Sequence, residues 1–201
     1  MEDLPNSQCI ELAKQHFTFD HNLKQEQIQC LDACLDSRDV LAVLPTGFGK
    51  SLIFQLAPFA VSVKQGIPLD KTTKCVLVFK VLTPLNSIMV DQCTSLAVRG
   101  ISACALDYSG SKGEIFVQDP EDAEDCEHDE DRQNLDTSVS LHDIRRGAYQ
   151  IIYAHPEALI SSSAGQALLR NKDFKKNLAC IAIDEAHMII EWQVSSFIKI
   201  D

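Results

Sequence analysis

The sequence predicts an α/β fold with a mainly parallel sheet and helices on both of its faces. Three observations carry that prediction. Short apolar runs alternate with segments whose apolar residues recur at three- and four-residue spacing. A glycine turn closed by Lys50-Ser51 lies between one such run and one such segment. A late apolar run, Ala179 to Ile183, leads directly into two acids, Asp184 and Glu185.

The elements follow in order. Leu23 to Leu35 is read as a helix, because Ile28, Leu31, Cys34 and Leu35 recur at helical spacing, and Ser37-Arg38-Asp39 ends it. Val40 to Leu44 is short and apolar, which suits a buried strand. Pro45-Thr46-Gly47-Phe48-Gly49 is a turn, and a helix is predicted from Lys50 to Ala60. Val76 to Leu82 is a strand closed by Thr83-Pro84, and Asn86 to Val98 a helix. Ile101 to Leu106 and Gln150 to Ala154 are further strands. Pro156 suits the first position of a short helix, and Ala179 to Ile183 is the last strand. There is no internal repeat.

The chain has 201 residues, 45% of them apolar and 23% charged, so it can build a core. That excludes wholesale disorder, collagen-like repeats and a disulfide miniprotein. No apolar run approaches the roughly 18 residues of a membrane span. The start, Met1-Glu2-Asp3-Leu4-Pro5, lacks the apolar region of a signal peptide. No membrane partner is expected. The eight cysteines contain no C-x-x-C pair, so zinc is not expected. They read as reduced thiols of a protein in the cytosol or nucleus.

The net charge is −11, and residues 114–136 hold eleven acids against one base, Arg132. Nearly the whole imbalance therefore sits in one polar stretch, which repels itself and buries little. Residues 113–140 are expected to form a disordered acidic insert. It is a spacer, or else a docking site for a basic protein partner or a nucleic-acid mimic. The rest of the chain is close to neutral, so charge neither excludes nor supports a nucleic-acid partner.

The glycine turn has the chemistry of a phosphate cradle. Gly47 and Gly49 let backbone N–H groups face an anion closely, and the following helix start adds partial positive charge. Lys50 would reach the β- and γ-phosphates and Ser51 would ligate Mg²⁺. Leu44 stands where the full G-x-x-x-x-G-K-S pattern has its first glycine, so a plain glycine turn with an exposed lysine is the alternative. Asp184 and Glu185 end a strand at the edge where open α/β sheets bind ligands. There Asp184 could hold Mg²⁺ through water and Glu185 could orient or deprotonate water. A solvated strand end is the alternative for that pair. A phosphate loop upstream on the same sheet makes one ATP–Mg²⁺ site the better account of both.

These motifs resemble those of a family. Leu44-Pro45-Thr46-Gly47-Phe48-Gly49-Lys50-Ser51 looks like motif I of superfamily 2 helicases, and Asp184-Glu185-Ala186-His187 like their DEAH motif II. More narrowly, the chain resembles RecQ-like ATP-dependent DNA helicases. Leu23-Lys24-Gln25-Glu26-Gln27 is similar to their adenine-reading motif. Thr83-Pro84-Leu85-Asn86-Ser87-Ile88-Met89-Val90-Asp91-Gln92 is similar to their motif Ia, and Tyr153-Ala154-His155-Pro156-Glu157-Ala158-Leu159 to their Y-x-x-P-E-x-L segment.

The resemblance implies a RecA-like P-loop domain over residues 23–192, after an N-terminal extension over 1–22. It implies ATP and Mg²⁺ as cofactors, and Thr46, Gly47, Phe48, Gly49, Lys50 and Ser51 as the nucleotide loop. Gln27 would bond adenine's edge, with Lys24 where the family usually has Arg. Asp184 and Ser51 would hold the metal. Glu185 would activate water, assisted by Lys50, while His187 would couple nucleotide state to DNA. Thr83 and Pro84 would lie on a single-strand track. The implied activity is 3′→5′ unwinding of DNA, single-stranded or forked, in repair and recombination, in the nucleus (alternatively the cytoplasm).

The pattern stops at Trp192, where an aromatic-rich loop is expected, so residues 193–201 read as a tail outside it. Motif III and a second RecA-like domain are not present. A truncated product with little unwinding of its own is therefore expected. The alternative is a non-catalytic nucleotide- or partner-binding regulator derived from a helicase. An RNA helicase of the DEAH kind is a third reading, disfavoured by the motif Ia run.

Overall fold

A computed structural model describes residues 4–16, 22–80, 86–106, 108–109, 114–115 and 139–186. In chain order its helices are α1 (Asn6–His16), α2 (Gln25–Leu35), α3 (Lys50–Lys64), α4 (Asn86–Ala97), α5 (Leu141–Arg146), α6 (Pro156–Ile160), α7 (Ser163–Arg170) and α8 (Lys172–Asn177). The strands are β1 (Cys75–Lys80), β2 (Ala103–Leu106), β3 (Tyr108–Ser109), β4 (Glu114–Ile115), β5 (Ile151–Ala154) and β6 (Leu178–Asp184).

Four strands form one parallel sheet in the order β2-β5-β1-β6, and β3 pairs antiparallel with β4 apart from it. β1 runs beside β5 with Val76 opposite Ile151, and beside β6 with Val76 opposite Cys180 and Lys80 opposite Asp184. Parallel strands need crossovers, and the helices that supply them cover both faces. On one face Val76, Val78, Ile151 and Tyr153 pack with Leu31, Leu56, Phe59 and Leu96 from α2, α3 and α4. On the other, Cys75, Leu77, Cys104 and Ile152 pack with Ile144, Leu159, Leu168 and Phe174 from α5 to α8. Alternate residues of one strand thus feed two separate cores, which explains why β1 is apolar without interruption up to Phe79.

One expectation changes, and two segments gain detail. Val40 to Leu44 is not a strand: it is extended, and Leu41 and Val43 are 82% and 86% exposed. A strand needs a ladder, and among the described residues none pairs with this segment; β6, ladder-paired there only to β1, also leaves Ile181 and Ile183 half exposed. The N-terminal extension contains α1, whose Cys9, Ile10 and Ala13 are buried against α3. The ends of the acidic insert belong to the folded part: Glu114–Ile115 is β4, Val139 is buried, and the Ser140 hydroxyl caps α5 by accepting from His142 N–H. Residues 116–138 lie outside the described ones. So do Trp192 and the 193–201 segment.

The described cysteines are free thiols. A hydrogen bond between the Cys34 and Cys180 thiols holds Cys34 below the ordinary thiol range and pushes Cys180 above it. Burial pushes Cys93 up to about 11 and Cys75 to about 12.

Two outcomes follow. Leu77 is fully buried in β1, so Leu77→Ala should cost about 2–5 kcal/mol in urea unfolding. Among the described cysteines, iodoacetamide should modify Cys34 first, since only the thiolate attacks. Its rate should rise at lower pH than those of Cys75 and Cys93, which stay slow until far higher pH. Peptide mapping over a pH series reads this, and uniform labelling of all of them would contradict the assigned hydrogen bond.

Candidate functional site

The turn over residues 45–49 joins the extended 40–44 segment to α3. Gly47 and Gly49 have φ of 75° and 86°, left-handed values that a side chain makes costly. A Cβ on Gly47 would meet nothing within 4 Å, so the space beside this glycine is open. Phe48 N–H donates to the Pro45 carbonyl at 3.2 Å, which closes the turn. Gly49 is the N-cap of α3. The helix therefore begins with Lys50 and Ser51, whose N–H groups have no acceptor within the helix. Open space beside Gly47, N–H groups without an acceptor in the helix and a helix start are features suited to an anion.

Helix α2 holds this loop in place. Gln27 is 4% exposed, and its Nε2 donates to the carbonyls of Phe48 and Gly49, each at 3.1 Å. Its Oε1 accepts from Lys24 N–H at 2.8 Å, which satisfies one orphan donor at the start of α2. The Lys24 ammonium lies 3.8 Å from the Phe48 ring centroid and 3.4 Å from the Phe48 carbonyl oxygen. Gln27, expected at adenine's edge, thus has both amide donors engaged by the loop. A Cβ on Gly49 would stand 2.7 Å from Gln27 Nε2, so glycine there also makes room for the glutamine.

The carboxylate pair arrives from the sheet. Asp184 is the last residue of β6. Glu185 then takes φ of 55°, unusual for a residue with a side chain, and turns the chain out of the strand. This brings Glu185 Oε1 to 3.9 Å from Lys50 Nζ, which also donates to the Leu44 carbonyl at 3.5 Å. The start of α3 and the carboxylate pair, separated by well over a hundred residues, therefore meet.

One residue at this edge escapes the motif pattern. Lys80, the last residue of β1, holds Asp184 Oδ2 at 2.5 Å, with side chains 13% and 16% exposed. Its ammonium is 5.6 Å from the Tyr153 ring centroid, and its carbonyl oxygen is 3.3 Å from His155 Nδ1. The signal was available: Lys80 is the one charge in the 75–82 apolar run, and a lysine inside a sheet needs a counter-ion. Ser51 is half-buried in the first turn of α3, and Thr46 is exposed on the loop. Thr83, Pro84 and His187 lie outside the described residues. No helix among the described residues is long and apolar enough to cross a membrane.

With this geometry in place, similarity to known proteins adds a frame. The profile of the DEAD/DEAH box helicase family matches residues 24–200. That span takes in most of the 193–201 segment expected to fall outside the pattern. The chain is 31% identical over 189 residues to the bifunctional 3′-5′ exonuclease/ATP-dependent helicase WRN of Mus musculus, covering 94% of this chain and 10% of that protein. It is 29% identical over 182 residues to the ATP-dependent DNA helicase RecQ of Synechocystis, covering 90% of this chain and 30% of that protein. To the RecQ-like DNA helicase BLM of Xenopus laevis it is 28% identical over 172 residues, 86% of this chain and 10% of that protein. The chain thus spans between a tenth and three tenths of these relatives' lengths.

Gln27→Ala should loosen the loop. It removes two bonds to carbonyls and leaves the Lys24 N–H without its acceptor, a loss of about 1–3 kcal/mol in urea unfolding. Amide exchange at residues 47–50 should quicken in the same variant; unchanged exchange there would show that α2 does not hold the loop.

Proposed function

Because this chain belongs to the DEAD/DEAH box helicase family, we propose that it is the ATP-binding first motor domain of a RecQ-like ATP-dependent DNA helicase. The observation that carries this is the contact between Lys50 and Glu185, which joins an open phosphate loop to the carboxylate pair at one sheet edge.

The donors present fit ATP–Mg²⁺. Open space beside Gly47 is compatible with an approaching phosphate oxygen. Asp184, with the Ser51 hydroxyl, offers the hard oxygen ligands that Mg²⁺ takes, and a cationic ammonium already sits on Asp184. Bound ATP would supply the γ-phosphoryl group that water attacks. Lys50 would then exchange Glu185 for phosphate oxygens, and Glu185, so released, would orient and deprotonate the water. Phosphate binding and base availability are therefore linked through one ion pair. For Gln27 to read adenine with its amide donors, at least one of its two bonds to the loop must open. His187 as the coupling residue, and Thr83 and Pro84 on a DNA track, complete the proposal from motif position alone. DNA is the proposed substrate and the nucleus the proposed compartment.

A second reading has one observation in its favour. Lys80 already neutralises Asp184, which suits a chain that binds nucleotide without metal-assisted hydrolysis. ATPase assays with and without single-stranded DNA separate the two.

Lys50→Ala should weaken ATP binding by about 10- to 100-fold, the loss of a charged hydrogen-bond donor to phosphate. Calorimetric titration measures this, and unchanged affinity would end the phosphate-loop assignment.

A further inference from the structure

We propose that Lys80 is the resident cation of the Asp184 carboxylate, and that a divalent metal ion enters this site only by displacing it. The functional meaning rests on the nucleotide reading above; the ion pair does not.

The contact is fixed by the backbone. Lys80 and Asp184 are register partners at the ends of two parallel strands, so their side chains leave the sheet side by side on the face covered by α3. The pair is also the most enclosed of the described ones. Its side chains are 13% and 16% exposed, against 31% and 37% for Lys50 and Glu185 and 64% and 45% for Arg38 and Asp36. Tyr153 flanks the ammonium, and His155 meets the Lys80 backbone, so the lysine is held from the neighbouring strand as well.

The chemistry follows from sharing one carboxylate. Mg²⁺ needs close oxygen ligands in a near-octahedral shell and keeps several waters. An ammonium on the same carboxylate takes up a ligand oxygen and repels the incoming ion. The same ammonium neutralises Asp184, a part of the charge balance that Mg²⁺ would otherwise supply. Lys80 is thus a positioning residue that sets how far nucleotide binding depends on the divalent ion.

The test uses the full 201-residue chain and Mn²⁺, its free fraction read by electron paramagnetic resonance. Wild type, Lys80→Met and Lys80→Arg are each compared with their Asp184→Asn counterparts, which removes ions held by the acidic segment from the comparison. Lys80→Met should gain one Asp184-dependent Mn²⁺ site, about tenfold or more tighter than in wild type, because the like charge is gone. Lys80→Arg should behave as wild type. Lys80→Gln, uncharged but still a donor to Asp184, gives a second variant if Met disturbs the circular dichroism spectrum. In parallel, N-methylanthraniloyl-ATP is titrated with Mg²⁺ or with EDTA. Wild type should change affinity by less than about threefold, whereas Lys80→Met should lose about tenfold in EDTA and recover it with Mg²⁺. No Asp184-dependent Mn²⁺ site in folded Lys80→Met or Lys80→Gln overturns the proposal. A new Mn²⁺ site without nucleotide binding in any variant leaves Lys80 as assigned and defeats the nucleotide reading instead.

Discussion

The parallel pairing of β1 with β6 is the constraint from which the site follows. Parallel strands send all their C-terminal ends to one edge of the sheet. That alone places Lys80 beside Asp184 and brings Glu185 within reach of the start of α3. The pairing holds because alternate residues of β1 are claimed by different cores: Val76 and Val78 by α2, α3 and α4, and Cys75 and Leu77 by α5 to α8. A shift of one residue would exchange the two sets and turn Lys80 into the opposite layer.

At that edge the protein neutralises itself. Lys50 pairs with Glu185 and Lys80 with Asp184, so four charges sum to zero around an open anion cradle. The two pairs differ in character. Lys50–Glu185 is long and half-exposed, of the kind worth about 0–1 kcal/mol, and it opens cheaply. Lys80–Asp184 is short and largely enclosed, and removing one member of a buried pair costs about 3–5 kcal/mol. The Lys50 pair is therefore the looser of the two, and the Asp184 carboxylate is the more tightly held. Gln27 adds a third control, since α2 and the loop share its amide and neither moves alone.

Much of this was legible in the sequence, for identifiable reasons. Strands inside a parallel sheet read as continuous apolar runs, so β1 and β5 stand out, and β6 carries the same signature although Ile181 and Ile183 are half-exposed. Gly47, Gly49, Lys50 and the Asp184-Glu185 pair announce their chemistry by residue type and order. Val40 to Leu44 has the same apolar signature, yet forms no strand, because composition gives a run's readiness to pair and not its neighbour. Helices α5, α7 and α8 were not foreseen; they are short, and their caps, Ser140, Ser162 and Asn171, are single residues in polar sequence. Lys80 was visible as an odd charge in a strand, but its partner lies 104 residues away and depends on topology.

The uncovered side of β6 bears on how the domain behaves as a material. Ile181 and Ile183 are half-exposed there, and Leu41 and Val43 are more exposed still. Among the described residues this edge combines apolar side chains with backbone groups outside any ladder, so self-association that rises with protein concentration is its expected consequence.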